Sequence, residues 1–388
     1  MTDRMFTTAQ AARLLGVKAE TVYAYVSRGL LSRTRAADGR TSRFDAEEVR
    51  RLAARNRRGA TEPDPVETSL TVIRDGALYY RGRNVTGLAG TQTFEAVASL
   101  LWTGVLDEGA AFVAAEPVRE LACAAIRPLV GHARPVDLLP VIVGAAATAD
   151  PLRYDVDPAI VVRTGRALLA VMVDALPSSG NARPADPLGV RLWSALTTKE
   201  PHEDGVRALD AALVLLADHD LASSTLAART AASTRAHPYA VVATGLGALD
   251  GPTHGAAAEA VRRFLRSAAA PADPMAAVAD RVHETGRVPG FGEPRYPEGD
   301  PRAARLLELI DTPGPIRSTM DGLVAARPGM RPNVDLALAV LAEAHDMVPG
   351  AGETILAIGR TAGWLAHALE EYRERPNRFR PQGFYTGS

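Results

Sequence analysis

The chain has 388 residues, 47% of them hydrophobic, and a formal net charge of −1. That length accommodates two or three domains, and no apolar run reaches the roughly 18–20 residues of a membrane span. The opening Met1 to Phe6 lacks the charged-then-apolar pattern of an export signal, and the single cysteine, Cys123, excludes an intramolecular disulfide and a thiolate metal cage.

These features predict a cytoplasmic protein, with Cys123 in the core among alanines and leucines. The charge is uneven. Residues 1–60 hold 13 Lys and Arg against 6 Asp and Glu, and the remainder holds 31 against 39. A short basic module precedes a larger acidic one.

In chain order, Thr8 is positioned to cap a helix over Ala9 to Leu15 with Ala11, Ala12 and Leu15 on one face. Gly16-Val17 breaks it. Lys18 to Ser27 predicts a second helix burying Val22 and Val26, ended by Gly29-Leu30. Leu31 to Phe44 predicts a hairpin turning at Asp38-Gly39, and Asp45 caps a third helix with Val49 and Leu52 inward. This pattern resembles the winged helix-turn-helix of MerR-like and excisionase-like DNA binders. The resemblance implies a second helix in the major groove, offering Lys18, Thr21 and Tyr25, with Arg40 and Arg43 on phosphates. A retained fold whose basic charge only meets the acidic remainder is the alternative.

Residues 1–58 are thus the helix-turn-helix domain and 59–66 a polar, proline-punctuated linker. From 67 to 388 a hairpin, Thr68 to Arg81 turning at Asp75-Gly76, leads into nearly continuous helix patterning. Val206 to Ala217 carries apolar residues at 206, 209, 213 and 216, the stripe of a packed helix.

Of eight histidines, most stand alone, and none has the spacing and carboxylate company of a metal site. Two are better placed. His219 lies in Ala217-Asp-His-Asp220 at a helix end, and His254 in Gly251-Pro-Thr-His-Gly255 before a helix over Ala256 to Leu265. A helix amino terminus disfavours the charged imidazole, and a neutral imidazole there can donate to an enolate oxygen. Val288 to Arg302 reads as a long loop entering a helix, and Asp335 stands at the start of Leu336 to Ala344, where a plain helix cap is the simplest role.

Taken in order, Gly76-Ala-Leu-Tyr-Tyr-Arg-Gly82, Ala217-Asp-His-Asp220, Gly251-Pro-Thr-His-Gly255, Gly290-Phe-Gly292 with Asp300-Pro-Arg302, Pro332-Asn-Val-Asp335, Gly359 to His367 and Tyr385-Thr-Gly387 resemble the citrate synthases. The resemblance implies a mainly α, two-domain helical fold, with a small domain at roughly 256–340 inserted in the large one, and a homodimer. It implies no cofactor and no metal, with acetyl-CoA and oxaloacetate as substrates. Asp335 is the implied base on the acetyl methyl group and His254 the donor to the enolate oxygen. His219 binds oxaloacetate, and Arg302, Arg360 and, from the partner subunit, Arg380 clamp its carboxylates.

The chain departs from that pattern at Glu293, where the family has a third histidine that donates to the ketone. An ionised Glu293 repels a dianionic substrate, by about 4 kcal/mol for unit charges about 4 Å apart at an effective dielectric of about 20. A protonated one still donates. Ala222, Pro297 and Gln382 are smaller departures. The expected function is condensation of acetyl-CoA, or a close acyl-CoA, with oxaloacetate, or a close 2-oxo acid. The alternative is a DNA-binding regulator whose synthase-like body senses a metabolite without turnover.

Overall fold

The computed structural model describes residues 5–35, 41–49, 52, 66–180, 182–252, 254–255, 257–268, 278–279, 283, 286, 288–326 and 329–380. Two compact units emerge, one of Met1–Glu67 with Phe379–Ser388 and one of Thr68–Arg378.

In the first unit, strand β1 (Met5–Thr7) enters helix α1 (Thr8–Leu15). Thr7, not Thr8, is the cap: its hydroxyl accepts from the Gln10 N–H at 3.3 Å while Gln10 Oε1 accepts the Thr7 N–H at 2.8 Å, a reciprocal pair that fixes the start one residue early. Gly16 ends the helix in the left-handed region at φ 66°. Helix α2 (Ala19–Ser27) buries Val22. Strands β2 (Arg33–Arg35) and β3 (Ser42–Asp45) pair antiparallel, and β1 adds to β3 in the order β1-β3-β2. The expected turn at Asp38-Gly39 lies outside the described residues, as does Arg40. Asp45 Oδ1 accepts the N–H groups of Glu47 and Glu48 at the next helical turn. Ala11, Leu15, Val22, Leu31, Phe44 and Val49 close a small core.

The second unit opens on an antiparallel sheet, β4 (Thr71–Arg74), β5 (Ala77–Tyr80) and β6 (Arg83–Asn84). Asp75 and Gly76 both have positive φ, 52° and 71°, the two-residue turn their sequence predicts. Helices α3 (Phe94–Thr103), α4 (Pro158–Asp174), α5 (Glu203–Leu216), α6 (Ser223–Ser233) and α7 (Pro238–Leu249) pack around the long α8 (Ala351–Glu371). Nearly every α8 residue is buried, so it is the axis of the core rather than an amphipathic surface helix. Its polar residues therefore need internal partners. Gly359 and Gly363 let it approach α5: a Cβ at Gly363 would overlap the Ala217 carbonyl and Asp218 Oδ1. Cys123 is half-buried against this core. Among the described residues no helix is long and apolar enough to cross a membrane.

Candidate active site

The α5 helix ends at Leu216, and the chain turns through Asp220, a non-glycine residue at φ 55°. This turn presents His219. The Nε2 of His219 lies 3.0 Å from the hydroxyl of buried Tyr296, and Asp220 Oδ2 accepts from Arg295 Nη1 at 2.8 Å. Burial, followed by the charges of Arg302, Arg360 and Arg295, holds His219 far below the ordinary histidine range. It is a neutral ring beside cations.

Arg360 projects from α8 and is buried. Its Nε donates to the Leu216 carbonyl at 2.9 Å, and among the described residues no carboxylate lies within ion-pair distance of its guanidinium. Burial pushes its pKa down, with Asp218 and Tyr80 opposing. A buried cation without a direct counter-ion is costly to the unliganded fold. Replacing Arg360 with Leu is therefore expected to leave the unliganded Tm unchanged or higher. The same change raises the KM for a carboxylate substrate by about thirtyfold or more. A large fall in Tm, read by calorimetry, would show that the charge supports the fold instead.

Arg302 starts the helix α9 (Pro301–Leu309), capped by the fully buried Asp300. Asp300 accepts Arg302 Nε at 3.0 Å and Nη2 at 2.8 Å, and also the N–H of Val334 at 3.1 Å. One carboxylate thus ties Arg302 to the start of helix α10 (Val334–Ala344). Asn333, not Asp335, caps α10, accepting the N–H groups of Asp335 and Leu336. The plain-cap role is therefore filled by a neighbour, and the Asp335 carboxyl is left for other work. Burial pushes that carboxyl up to about 6. Arg302 opposes the shift, while Asp300, Glu293 and Glu353 add to it.

The loop bearing Glu293 is strapped to the segment bearing Asp335. Gly292 N–H donates to the Arg331 carbonyl at 2.8 Å, Asn333 N–H to that of Gly290 at 2.9 Å, and Phe291 bridges Pro332. Gly290 sits at φ 83°, where a Cβ would press on Val261 and Leu336. Glu293 Oε2 lies 3.9 Å from Arg302 Nη2, and its Oε1 accepts the Arg295 N–H at 3.2 Å.

His254 is half-buried in a turn. Its Nε2 accepts the Ser224 N–H at 3.2 Å and lies 2.8 Å from Ser224 Oγ. A backbone N–H can only donate, so Nε2 is unprotonated and the ring proton sits on Nδ1. Burial, then Arg360, lowers the pKa below the ordinary histidine value. The helix that follows the ring begins at Ala258. The N–H that holds the ring comes from the first turn of α6, whose cap residue Ala222 makes no side-chain cap bond.

These groups share one electrostatic neighbourhood: Arg302, Arg360 and His254 all act on His219, Arg302 acts on Asp335 and Arg360 on His254. Arg380 is exposed and falls in the unit that holds the amino-terminal module. Tyr296, Asp300 and Ser224 are site-building residues that the sequence reading missed. Asp300, three residues after Pro297 and next to Pro301, carried a helix-start signal, whereas Tyr296 and Ser224 carried none. In the amino-terminal unit Lys18 is exposed, Thr21 and Arg43 are half-buried, and Tyr25 packs against the small core. Arg28, Arg33 and Arg35 are exposed, and Arg33 lies over the Tyr23 ring.

Residues 61–382 match the family model described as citrate synthase, C-terminal domain, and residues 5–57 match a helix-turn-helix domain. Citrate synthase 2 of Bacillus subtilis is 27% identical over 82% of this chain and 93% of its own length. The citrate synthase of Synechocystis is 32% identical over 81% and 86%. A solved Thermoplasma acidophilum citrate synthase, a ternary complex with carboxymethyl coenzyme A and oxaloacetate, superposes with a TM-score of 0.68 at 23% identity, covering 85% of this chain and 96% of that one. With its helical body, its ordered motifs and these matches, the chain belongs to the citrate synthase family, with a helix-turn-helix domain at its amino end.

Proposed function

We propose that this citrate synthase-type enzyme condenses acetyl-CoA, or a close acyl-CoA, with oxaloacetate or a close 2-oxo acid, releasing CoA. The observation that supports the reading is two titratable groups set beside the cations that surround His219, with Arg302 acting on Asp335 and Arg360 on His254. One is the Asp335 carboxyl, pushed up to about 6. The other is the His254 ring, locked neutral with its proton on Nδ1. A methyl group next to a thioester is a weak acid, so a base succeeds only where the enolate oxygen is stabilised as it forms.

Asp335 takes the methyl proton while His254 Nδ1–H donates to the thioester oxygen. The enol carbon then attacks the ketone carbon, and the new alkoxide takes a proton from solvent. Water cleaves the thioester to give the CoA thiol and a free carboxylate. Arg360 holds a carboxylate of the 2-oxo acid in a planar fork, with His219 and Arg302 beside it. A homodimer in which the partner subunit supplies its own Arg380, and closure of the helices between 256 and 340 over the substrates, complete the proposed cycle. Release of free thiol on mixing the protein with acetyl-CoA and oxaloacetate tests the reading; a silent wild type with every 2-oxo acid tried would end it.

A second reading concerns the amino-terminal module, and the exposed Lys18, Arg28, Arg33 and Arg35 favour it. The module contacts DNA, and the body reports on a metabolite, with or without turnover. Binding measured by fluorescence anisotropy is then expected to weaken as salt rises, and each arginine changed to alanine lowers the slope of log K against log salt by about one. Binding that ignores salt, or none in low salt, removes the reading.

A further inference from the structure

Behind His219 lies a run of buried polar side chains that the condensation steps do not use. Asp218 is fully buried. Its Oδ2 accepts from the Thr71 hydroxyl at 2.5 Å and lies 3.2 Å from His367 Nε2. Its backbone is held as well: the Tyr80 hydroxyl donates to the Asp218 carbonyl at 2.8 Å and accepts the Asp218 N–H at 3.0 Å. The sheet β4–β5 and the helix α8 therefore grip this one residue from two sides.

His367 is as buried as its partner, and its Nδ1 lies 2.7 Å from Arg229 Nη1. A guanidinium nitrogen can only donate, so Nδ1 accepts and the ring proton must be on Nε2, facing Asp218. A doubly protonated ring would set two N–H groups against each other. Arg229 is fixed in turn by Glu370 and Glu371, at 2.9 and 3.1 Å, and Glu371 is gripped by Arg378 at 2.6 and 2.7 Å. The tautomer of His367 is thus set by a charge cluster on the side of the ring away from the site.

We propose that His367 is a positioning residue for the 2-oxo acid: its Nε2–H, oriented by Arg229, fixes the Asp218 carboxylate and the turn that presents His219. Arg360 is positioned by the same turn, since it is anchored on the Leu216 carbonyl and faces the charge of Asp218. The other carboxylate oxygen, Oδ1, is buried and makes no hydrogen bond among the described residues. Without His367 the carboxylate keeps, among the described residues, the Thr71 hydroxyl as its one hydrogen-bond donor. Burial alone would raise the Asp218 pKa; His367, Arg360 and Thr71 together hold it below the usual carboxylate range. The side chain touches no substrate in this scheme. The proposal rests on the condensation reading for its kinetic arm only.

The test compares full-length wild type with His367→Gln, which keeps a donor and an acceptor, and His367→Leu, which keeps neither. Amide hydrogen exchange is read over 216–220, with 238–249 as the internal reference. In the Leu variant, exchange over 216–220 is expected to rise about tenfold or more with the reference unchanged. The KM for oxaloacetate rises about tenfold or more, while that for acetyl-CoA stays within about twofold. The Gln variant stays close to wild type on all three.

Unchanged exchange over 216–220 in a folded Leu variant overturns the proposal, and so does loosening spread equally over the reference helix. Should the Leu variant fail to fold, the imidazole nitrogen resonances of wild type decide. A ring protonated on Nε2 and accepting at Nδ1 is expected, and the opposite tautomer or a proton on both nitrogens overturns it. A wild type that releases no CoA sinks the condensation reading alone, because exchange and tautomer are read without turnover.

Discussion

Replacing Asp335 with Asn lowers turnover about a thousandfold while both substrates still bind, the size expected when a positioned general base is removed. The geometry makes this a clean substitution. Asn333 caps α10, and Asp335 contributes its backbone N–H to that cap rather than its carboxyl. Loss of the carboxylate therefore leaves the helix start intact, and the fall should appear in kcat rather than in Tm. The same group sets the pH dependence. Only the ionised form of Asp335 can accept a proton, and burial pushes its pKa up to about 6. The rate is therefore full above that value and falls about tenfold per pH unit as the pH drops below it. In Asp335→Asn this acid limb disappears from the residual rate. Retention of the limb in the variant assigns it to another group.

Glu293 carries the second large effect. Its carboxylate lies 3.9 Å from Arg302 Nη2, and Arg302 is already held in a fork by Asp300. A carboxylate of oxaloacetate approaching Arg302 thus meets a cation with two anions against it. At about 4 Å and an effective dielectric of about 20, one ionised carboxylate disfavours another by about 4 kcal/mol. Partial exposure of Glu293 screens some of that. Glu293→Gln or Glu293→His is therefore expected to raise kcat/KM for oxaloacetate by about ten- to a hundredfold. A smaller gain is expected for a 2-oxo acid with a single carboxylate. Steady-state thiol release with both substrates reads the ratio. A loss of activity in Glu293→Gln contradicts this and shows that the Glu293 carboxyl itself serves the reaction.

Much of this was legible in the sequence because it is written locally. The Asp75-Gly76 turn, the apolar stripe ending at Leu216 and the helix starts after His254 and near Asp335 all follow from neighbours within a few positions. The amino-terminal module was legible for the same reason: among the described residues the cap moves from Thr8 to Thr7 by a partner at Gln10, and Val26, expected inside, is half-buried. What local pattern does not carry is pairing across the chain. The tautomer of His254 depends on a backbone N–H 30 positions away, on a different helix from the one that follows it. Asp300 joins Arg302 to Val334 across 34 positions, and His367 reaches Asp218 across 149. Asp335 shows the reverse: a residue that reads as an ordinary cap is relieved of that duty by Asn333.

The most direct test follows deuterium into the methyl group of acetyl-CoA in D2O, with malate filling the 2-oxo acid site so that no carbon–carbon bond can form. Wild type is expected to exchange its methyl protons. Asp335→Asn and His254→Asn are each expected to lose the exchange by about a hundredfold or more, and the double variant to lose little beyond either single one, since the two groups act in one step. Undiminished exchange in either single variant contradicts the account.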